Sequence, residues 1–235
     1  ANQEIYGMYA FAVSLSLYFS YADIGFLSAG QKYASEAFAK SDIYEEIKIL
    51  GFIVALLICM FIPMVVFFIF CYWSPDIMFN QLTPESSEVA SGLFLVLIIF
   101  IPVQTILQRV VSVIFAVRLL DFIVIRIEIF FNTIKILSIF YFFKEGNYLV
   151  VEYFLFSSVL SILCYLIGIF YASFKLEFHF FELANSVKLS KIYFDKTKKL
   201  AFASAVSTVA FVLFYELDLV LIGHLSGLKE VGIYA

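Results

Sequence analysis

The sequence predicts an all-α polytopic membrane protein, and three observations carry that expectation. Hydrophobic residues make up 63% of its 235 positions and charged residues 14%, with 30 Phe, 15 Tyr and 4 Pro; soluble domains sit near half apolar and a quarter charged. Six apolar runs approach or exceed the ~20 residues that a helix needs to cross the hydrocarbon core. Lysine and arginine gather in alternate connections between those runs, as in a chain that weaves through a bilayer. Barrel strands would instead alternate polarity over ~10 residues.

The predicted spans, lettered A to F, are Ile5–Ala22, Ile47–Tyr72, Val89–Val113, Leu119–Phe143, Tyr148–Phe174 and Leu200–Leu225, and Val231–Ala235 opens a seventh. Span A carries Tyr9, Ser16, Ser20 and Asp23 on one face. Span B has no charge within it and is expected to face lipid. Span C places Gln104, Gln108 and Ser112 at i, i+4, i+8, with Thr105 and Arg109 beside them. In span D, Asp121, Glu128, Asn132 and Lys135 follow at intervals of seven, four and three residues. At ~100° per residue they fall in a wedge of about 60°. Arg126 points elsewhere and is close enough to the helix end to snorkel. Span E lines up Ser157, Ser161, Cys164 and Gly168, small residues that predict close helix packing. Its single charge, Glu152, is near the outer end. Span F carries Ser204, Thr208, Tyr215 and Asp218 on one face. Pro63 and Pro102 each remove a backbone donor in mid-span and predict bends.

The A–B connection holds Lys32, Lys40 and Lys48, the C–D turn Arg118, and the E–F connection Lys175, Lys188, Lys191, Lys196, Lys198 and Lys199. The other side has Lys144 and Lys229 only. The basic connections therefore face the cytoplasm and the B–C loop faces outward. Phe174, Phe178 and Phe181 share one face if the E–F segment is helical, which would make it amphipathic and interfacial; a solvated loop fits equally well.

Several functions are excluded. Cys59, Cys71 and Cys164 lie in or beside apolar runs, with no CxxC or Cys/His cluster, so neither a disulfide framework nor a zinc site is expected. No cofactor is implied. There is no basic field for nucleic acid, and no GxSxG, HExxH or Walker loop. Ala1 opens the sequence without a charged n-region, which predicts a piece of a longer protein rather than a signal peptide.

A charge at the bilayer centre costs on the order of 2.5–3.5 kcal/mol. Polar stripes on spans A, C, D and F therefore predict a shared hydrated cavity. The competing explanation is that polar pairs, Glu128 with Lys135 for instance, only glue helices together. The stripes mix acids with bases, unlike a pure cation or anion pore.

The segment "YGMYAFAVSLSLYFSYADIGFLSAGQKYASE" begins a helix with Gly-x-Tyr, then has an acidic-x-Gly step at Asp23 and Gly25. The segment "AFASAVSTVAFVLFYELDLVLIGHLSGLKEVGIYA" runs from Asp218 through Leu-Ile-Gly to Val-Gly-x-Tyr, so that Gly232, Tyr234 and Ala235 echo Gly7, Tyr9 and Ala10. These resemble the second helix, and the seventh helix with the start of the eighth, of the polysaccharide-unit (O-antigen, Wzx-type) flippases. Their superfamily also holds multidrug antiporters and lipid II flippases. The likeness lies at the two ends; between Gly51 and Lys198 it is one of hydropathy.

The resemblance implies a two-lobe transporter of about twelve helices. Residues 1–198 would be an N-terminal lobe lacking its first helix, and 199–235 the start of the C-terminal lobe. It implies no enzyme, but a multi-pass protein of the bacterial inner (cytoplasmic) membrane. Its substrate would be a lipid-linked oligosaccharide, and its partners membrane lipids, a polysaccharide polymerase and a chain-length regulator. Arg109 and Lys135 would meet the pyrophosphate or acidic sugars. Asp121, Glu128 and Asn132 would contact sugar hydroxyls or tune those cations. Asp23 and Asp218 correspond by position in the two repeats, as ion-coupling sites or links between helices. A cation-coupled multidrug antiporter and an intramembrane polysaccharide polymerase remain open alternatives.

Overall fold

The computed structural model describes residues 3–21, 23, 25–79, 84–144, 147–215 and 221–222. Eight α-helices occupy most of them: α1 (Gln3–Tyr21), α2 (Phe26–Ala39), α3 (Ile43–Trp73), α4 (Pro84–Val117), α5 (Asp121–Phe142), α6 (Val150–Lys175), α7 (Phe180–Asn185) and α8 (Lys191–Tyr215). A 3-10 turn, Pro75–Ile77, follows α3, and a two-residue hairpin pairs Phe143–Lys144 with Asn147–Tyr148 between α5 and α6. Asp218 and the echo at Gly232, Tyr234 and Ala235 lie outside the described residues.

Among the described residues, three helices are long and apolar enough to cross a membrane: Ile43–Trp73 with mean hydropathy 3.1, Ser86–Val117 with 2.4, and Val150–Lys175 with 2.1. They correspond to spans B, C and E, and make this a helical membrane protein. Span A is not a separate straight crossing. Its helix and α2 meet the same test only as a pair bent by 44°, a broken span or re-entrant loop. Helix α5 carries Asp121, Arg126, Glu128 and Lys135 and is too charged to meet the test. Span F extends past the described residues.

Long aliphatic and aromatic runs favour these helices, and the ends are set locally. Asp42 caps α3 by accepting from the Glu45 amide at 3.0 Å. Ser41, Leu119 and Glu177 adopt positive φ just past the ends of α2, α4 and α6. Non-glycine residues in that region cost about 1–2 kcal/mol each. Closing bonds offset it, from Asp42 N–H to Ala37 C=O (3.0 Å) and from Leu120 N–H to Phe115 C=O (2.9 Å). Helices α3 and α4 continue through Pro63 and Pro102.

Helices α4 and α6 pack along their lengths. The small-residue expectation for span E holds here: a Cβ on Gly168 would lie 2.8 Å from Val111 Cγ1, and one on Gly92 2.9 Å from Val151 Cγ1. Ser161, Cys164 and Gly168 are all buried. The core falls into two clusters. One joins α1, α3, α4 and α6 around Phe11, Phe19, Phe68 and Phe94. The other lies toward the basic end around Ile47, Leu50, Ile114, Phe115 and Phe178.

Two local expectations are corrected. Span B does not simply face lipid. Its first half, Ile47 to Leu57, is buried against neighbouring helices, and exposure begins at Ile58 and recurs at Ile62, Val66, Phe67 and Phe70. Phe174, Phe178 and Phe181 do not share a helical face. Helix α6 stops at Lys175 and α7 starts only at Phe180, so Phe178 turns into the core while Phe174 and Phe181 stay exposed.

The three basic connections meet at one end of the bundle. Arg118 Nη1, from the C–D turn, lies 2.7 Å from Glu46 Oε1 at the start of α3, with side-chain exposures of 10% and 0%. Its guanidinium also lies against Phe38 and Phe178, 4.7 and 5.4 Å from the ring centres. Glu45 accepts from Tyr193 Oη at 2.8 Å and from Lys196 Nζ at 3.0 Å, both on α8. Burial first, then the Glu45 carboxylate, pushes the Tyr193 phenol up from its ordinary pKa.

Candidate functional site

Above that basic end, charged side chains from separate elements form a ladder through the bundle. On the lowest rung, Arg109 of α4 donates from Nη2 to the Ser20 carbonyl in the last turn of α1. Guanidinium at a helix C-terminus is electrostatically favoured, because the terminal carbonyls carry partial negative charge. Asp23, 8% exposed, lies within electrostatic reach of Arg109. It also accepts from the Leu27 amide at 3.1 Å and so caps the start of α2. The break between α1 and α2 at Asp23–Gly25 thus places one carboxylate beside one guanidinium.

Gly25 lets the break sit there. Its φ is +74°, and a Cβ would come within 2.5 Å of the Ala201 carbonyl oxygen and 2.6 Å of Ser204 Cβ on α8. Only a residue without a side chain fits both the conformation and the approach. Ser16, on the same face of α1, bonds its own backbone at Val13 C=O, 2.6 Å away.

The next rungs join α5 to α6. Tyr165 Oη lies 3.2 Å from Glu128 Oε1, and both Arg109 and Glu128 are within electrostatic reach of Tyr165. Lys135 Nζ donates to Ser161 Oγ at 2.6 Å, and Cys164 and Glu128 lie close to the same ammonium. At 1.5 Å of rise per residue, Arg109 is ~12 Å from the basic end of α4, Glu128 ~10 Å along α5, and Lys135 ~21 Å along it. The rungs therefore lie between about 10 and 21 Å from the basic end of the bundle.

Arg109, Glu128, Lys135 and Asp23 are brought together through these contacts. Asp121 and Asn132 share the predicted wedge but stand exposed on α5. Tyr165 and Ser161 were missed as site residues, although a signal existed. Tyr153, Ser157, Ser161 and Tyr165 follow at steps of four on α6, one helical row. Two buried polar atoms in this region, Arg109 Nε and Ser157 Oγ, have no hydrogen-bond partner among the described residues and can donate to a bound molecule.

Such a set of groups can bind anions and hydroxyls. Three N–H or O–H donors (Arg109, Lys135, Tyr165) alternate with two carboxylates (Asp23, Glu128). No group of three His, Cys, Asp or Glu side chains among the described residues is placed to hold a metal ion. Compared with known proteins, the chain matches no family model, no curated protein and no solved structure.

Proposed function

We propose that this chain is part of a transporter that moves isoprenoid-pyrophosphate-linked oligosaccharide units from the inner to the outer leaflet of a bacterial cytoplasmic membrane. The observation that supports it most is the ladder: Arg109, Glu128 and Lys135 hydrogen-bond to neutral groups, Ser20 C=O, Tyr165 Oη and Ser161 Oγ. Charges kept at membrane depth without direct ion pairs are costly, and a charged, hydroxyl-bearing substrate is a partner that would offset that cost. Mixed signs favour a substrate with both a diphosphate and sugar hydroxyls over the acidic cavity that a cationic drug would need.

In this proposal the bent pair α1–α2 makes one crossing, α3, α4, α5, α6 and α8 make five more, and the lobe they build rocks against a second, similar lobe. The break at Asp23–Gly25 against α8 would carry that motion, since α8 leads toward the second lobe.

Surface-glycan export, measured at matched protein levels, tests the proposal. Lys135→Ala and Arg109→Ala should each leave lipid-linked units unexported at the inner face. Wild-type export by both variants would overturn it.

A further inference from the structure

The same seam ends in a cleft of different chemistry. Tyr6, Tyr9, Ile139, Phe143, Val150 and Tyr153 enclose about 240 Å³ where α1, α5 and α6 approach their ends opposite the basic connections. The Tyr9 and Tyr153 rings are 5.9 Å apart, and Tyr9 meets Phe154 edge-on at 6.1 Å. Carbon lines nearly the whole surface. A sugar ring would need several placed donors and acceptors, which these walls do not supply.

The cleft continues the ladder in register. Ile139 lies four residues beyond Lys135 on α5, a rise of ~6 Å on the same face. On α6, Tyr153 lies one step of four from Ser157 and two from Ser161, the hydroxyl that holds Lys135. One seam thus runs from guanidinium through ammonium to an aromatic slot. The order along the seam, cations first and an apolar slot beyond them, is that of an amphipathic lipid with its charged head followed by its tail.

We propose that this cleft holds part of the isoprenoid chain of the carrier lipid, with its pyrophosphate toward Lys135; the assignment rests on the transport proposal for the identity of the lipid. The slot would hold the tail in line with the charged rungs. Recognition of the carrier would then come from a cation and an apolar slot at fixed separation, independent of the sugar attached.

The test uses the full-length protein in nanodiscs and a diazirine-bearing farnesyl pyrophosphate, with a diazirine-tailed phosphatidylglycerol in a parallel arm. The farnesyl probe should label peptides around Tyr6–Tyr9 and Val150–Tyr153. Ile139→Trp, which fills the slot at a partly exposed position, should cut that labelling about tenfold, a change of ~1.4 kcal/mol. Tyr6→Ala, at a residue 44% exposed, removes one wall without touching the core and should lower it several-fold. Undiminished labelling in both variants would overturn the assignment. So would cleft labelling by the phospholipid probe that excess farnesyl pyrophosphate does not displace. Failure of transport is separable: normal export by Lys135→Ala and Arg109→Ala with intact cleft labelling would remove the transporter and leave a prenyl-binding slot. Normal dependence of export on those residues with diffuse labelling would remove only the slot.

Discussion

The basic end of the bundle and its charged middle use the same residue types in opposite ways. At the basic end, charges are matched to charges: Arg118 to Glu46, Lys196 to Glu45, Lys198 to Asp195 and Lys32 to Glu36. All four salt bridges found among the described residues are there. In the middle, Arg109, Glu128 and Lys135 hydrogen-bond to a carbonyl, a phenol and a hydroxyl. A matched pair has its electrostatic demand met and acts as structure. A charge held by a neutral group is positioned but still attracts an opposite charge. The contrast separates residues that fasten the fold from residues left able to bind.

The largest effect on stability should come from splitting the fastened pair. Glu46→Ala strands Arg118 in a nearly closed site and should cost about 3–5 kcal/mol, seen as a large fall in thermal unfolding temperature of the purified protein. The double variant Glu46→Leu with Arg118→Met should recover most of that loss, because an apolar pair of similar volume removes both desolvation costs. If the double variant is as unstable as Glu46→Ala, the pair does more than fasten, and the division between the two regions blurs.

Next in size is the hinge between them. Gly25→Ala forces a side chain into a left-handed backbone and against α8, and should destabilise by about 1–3 kcal/mol. Unfolding measurements on Gly25→Ala against Gly30→Ala give the sharper comparison. The three atoms nearest a Cβ at Gly30 all belong to the Ile53 side chain, two of them at 2.5 Å, whereas at Gly25 the nearest is a backbone oxygen and φ is +74°. Equal losses at the two glycines would mean that the left-handed break is not what fixes α2 on α8.

How much of this could be read from the sequence depends on the kind of interaction. The long apolar runs of α3, α4 and α6 announce themselves, since membrane length and hydropathy are properties of one segment. That the basic connections share one end was also legible: Lys and Arg in alternate connections meet there, as Arg118–Glu46 and Lys196–Glu45 show. Helix α2 was read as part of a connection because Gln31, Lys32 and Glu36 interrupt its apolar pattern, yet its Ala29, Gly30, Ala34 and Ala37 face lets it bury against α3. In α5, periodicity found the wedge of Asp121, Glu128, Asn132 and Lys135, but could not tell which part of it a neighbour covers. Only the position of α6 separates Glu128 and Lys135, which it contacts, from exposed Asp121 and Asn132. Tyr165 passed as packing because an aromatic residue in an apolar helix gives no sign of where its hydroxyl points.

The smallest effects test whether the middle region's neutral partners position or merely accompany their charges. Tyr165→Phe removes one donor from Glu128 and nothing else of size. A net loss of about 0.5–1.5 kcal/mol is expected for one hydrogen bond, rising toward 1.5–3 where the partner is ionised, readable by unfolding in detergent. The surface pair gives the baseline: Lys198→Ala, which breaks an exposed i, i+3 contact with Asp195, should shift stability by less than about 1 kcal/mol. If Tyr165 positions Glu128 for a ligand, Tyr165→Phe should lower glycan export well beyond its effect on stability, whereas Lys198→Ala should change neither. Equal export by the two variants would place the Tyr165–Glu128 contact with the fastening pairs at the basic end. The ladder would then retain Arg109 and Lys135 with Asp23 as its one remaining carboxylate, a mainly cationic site suited more to the pyrophosphate than to the sugar hydroxyls.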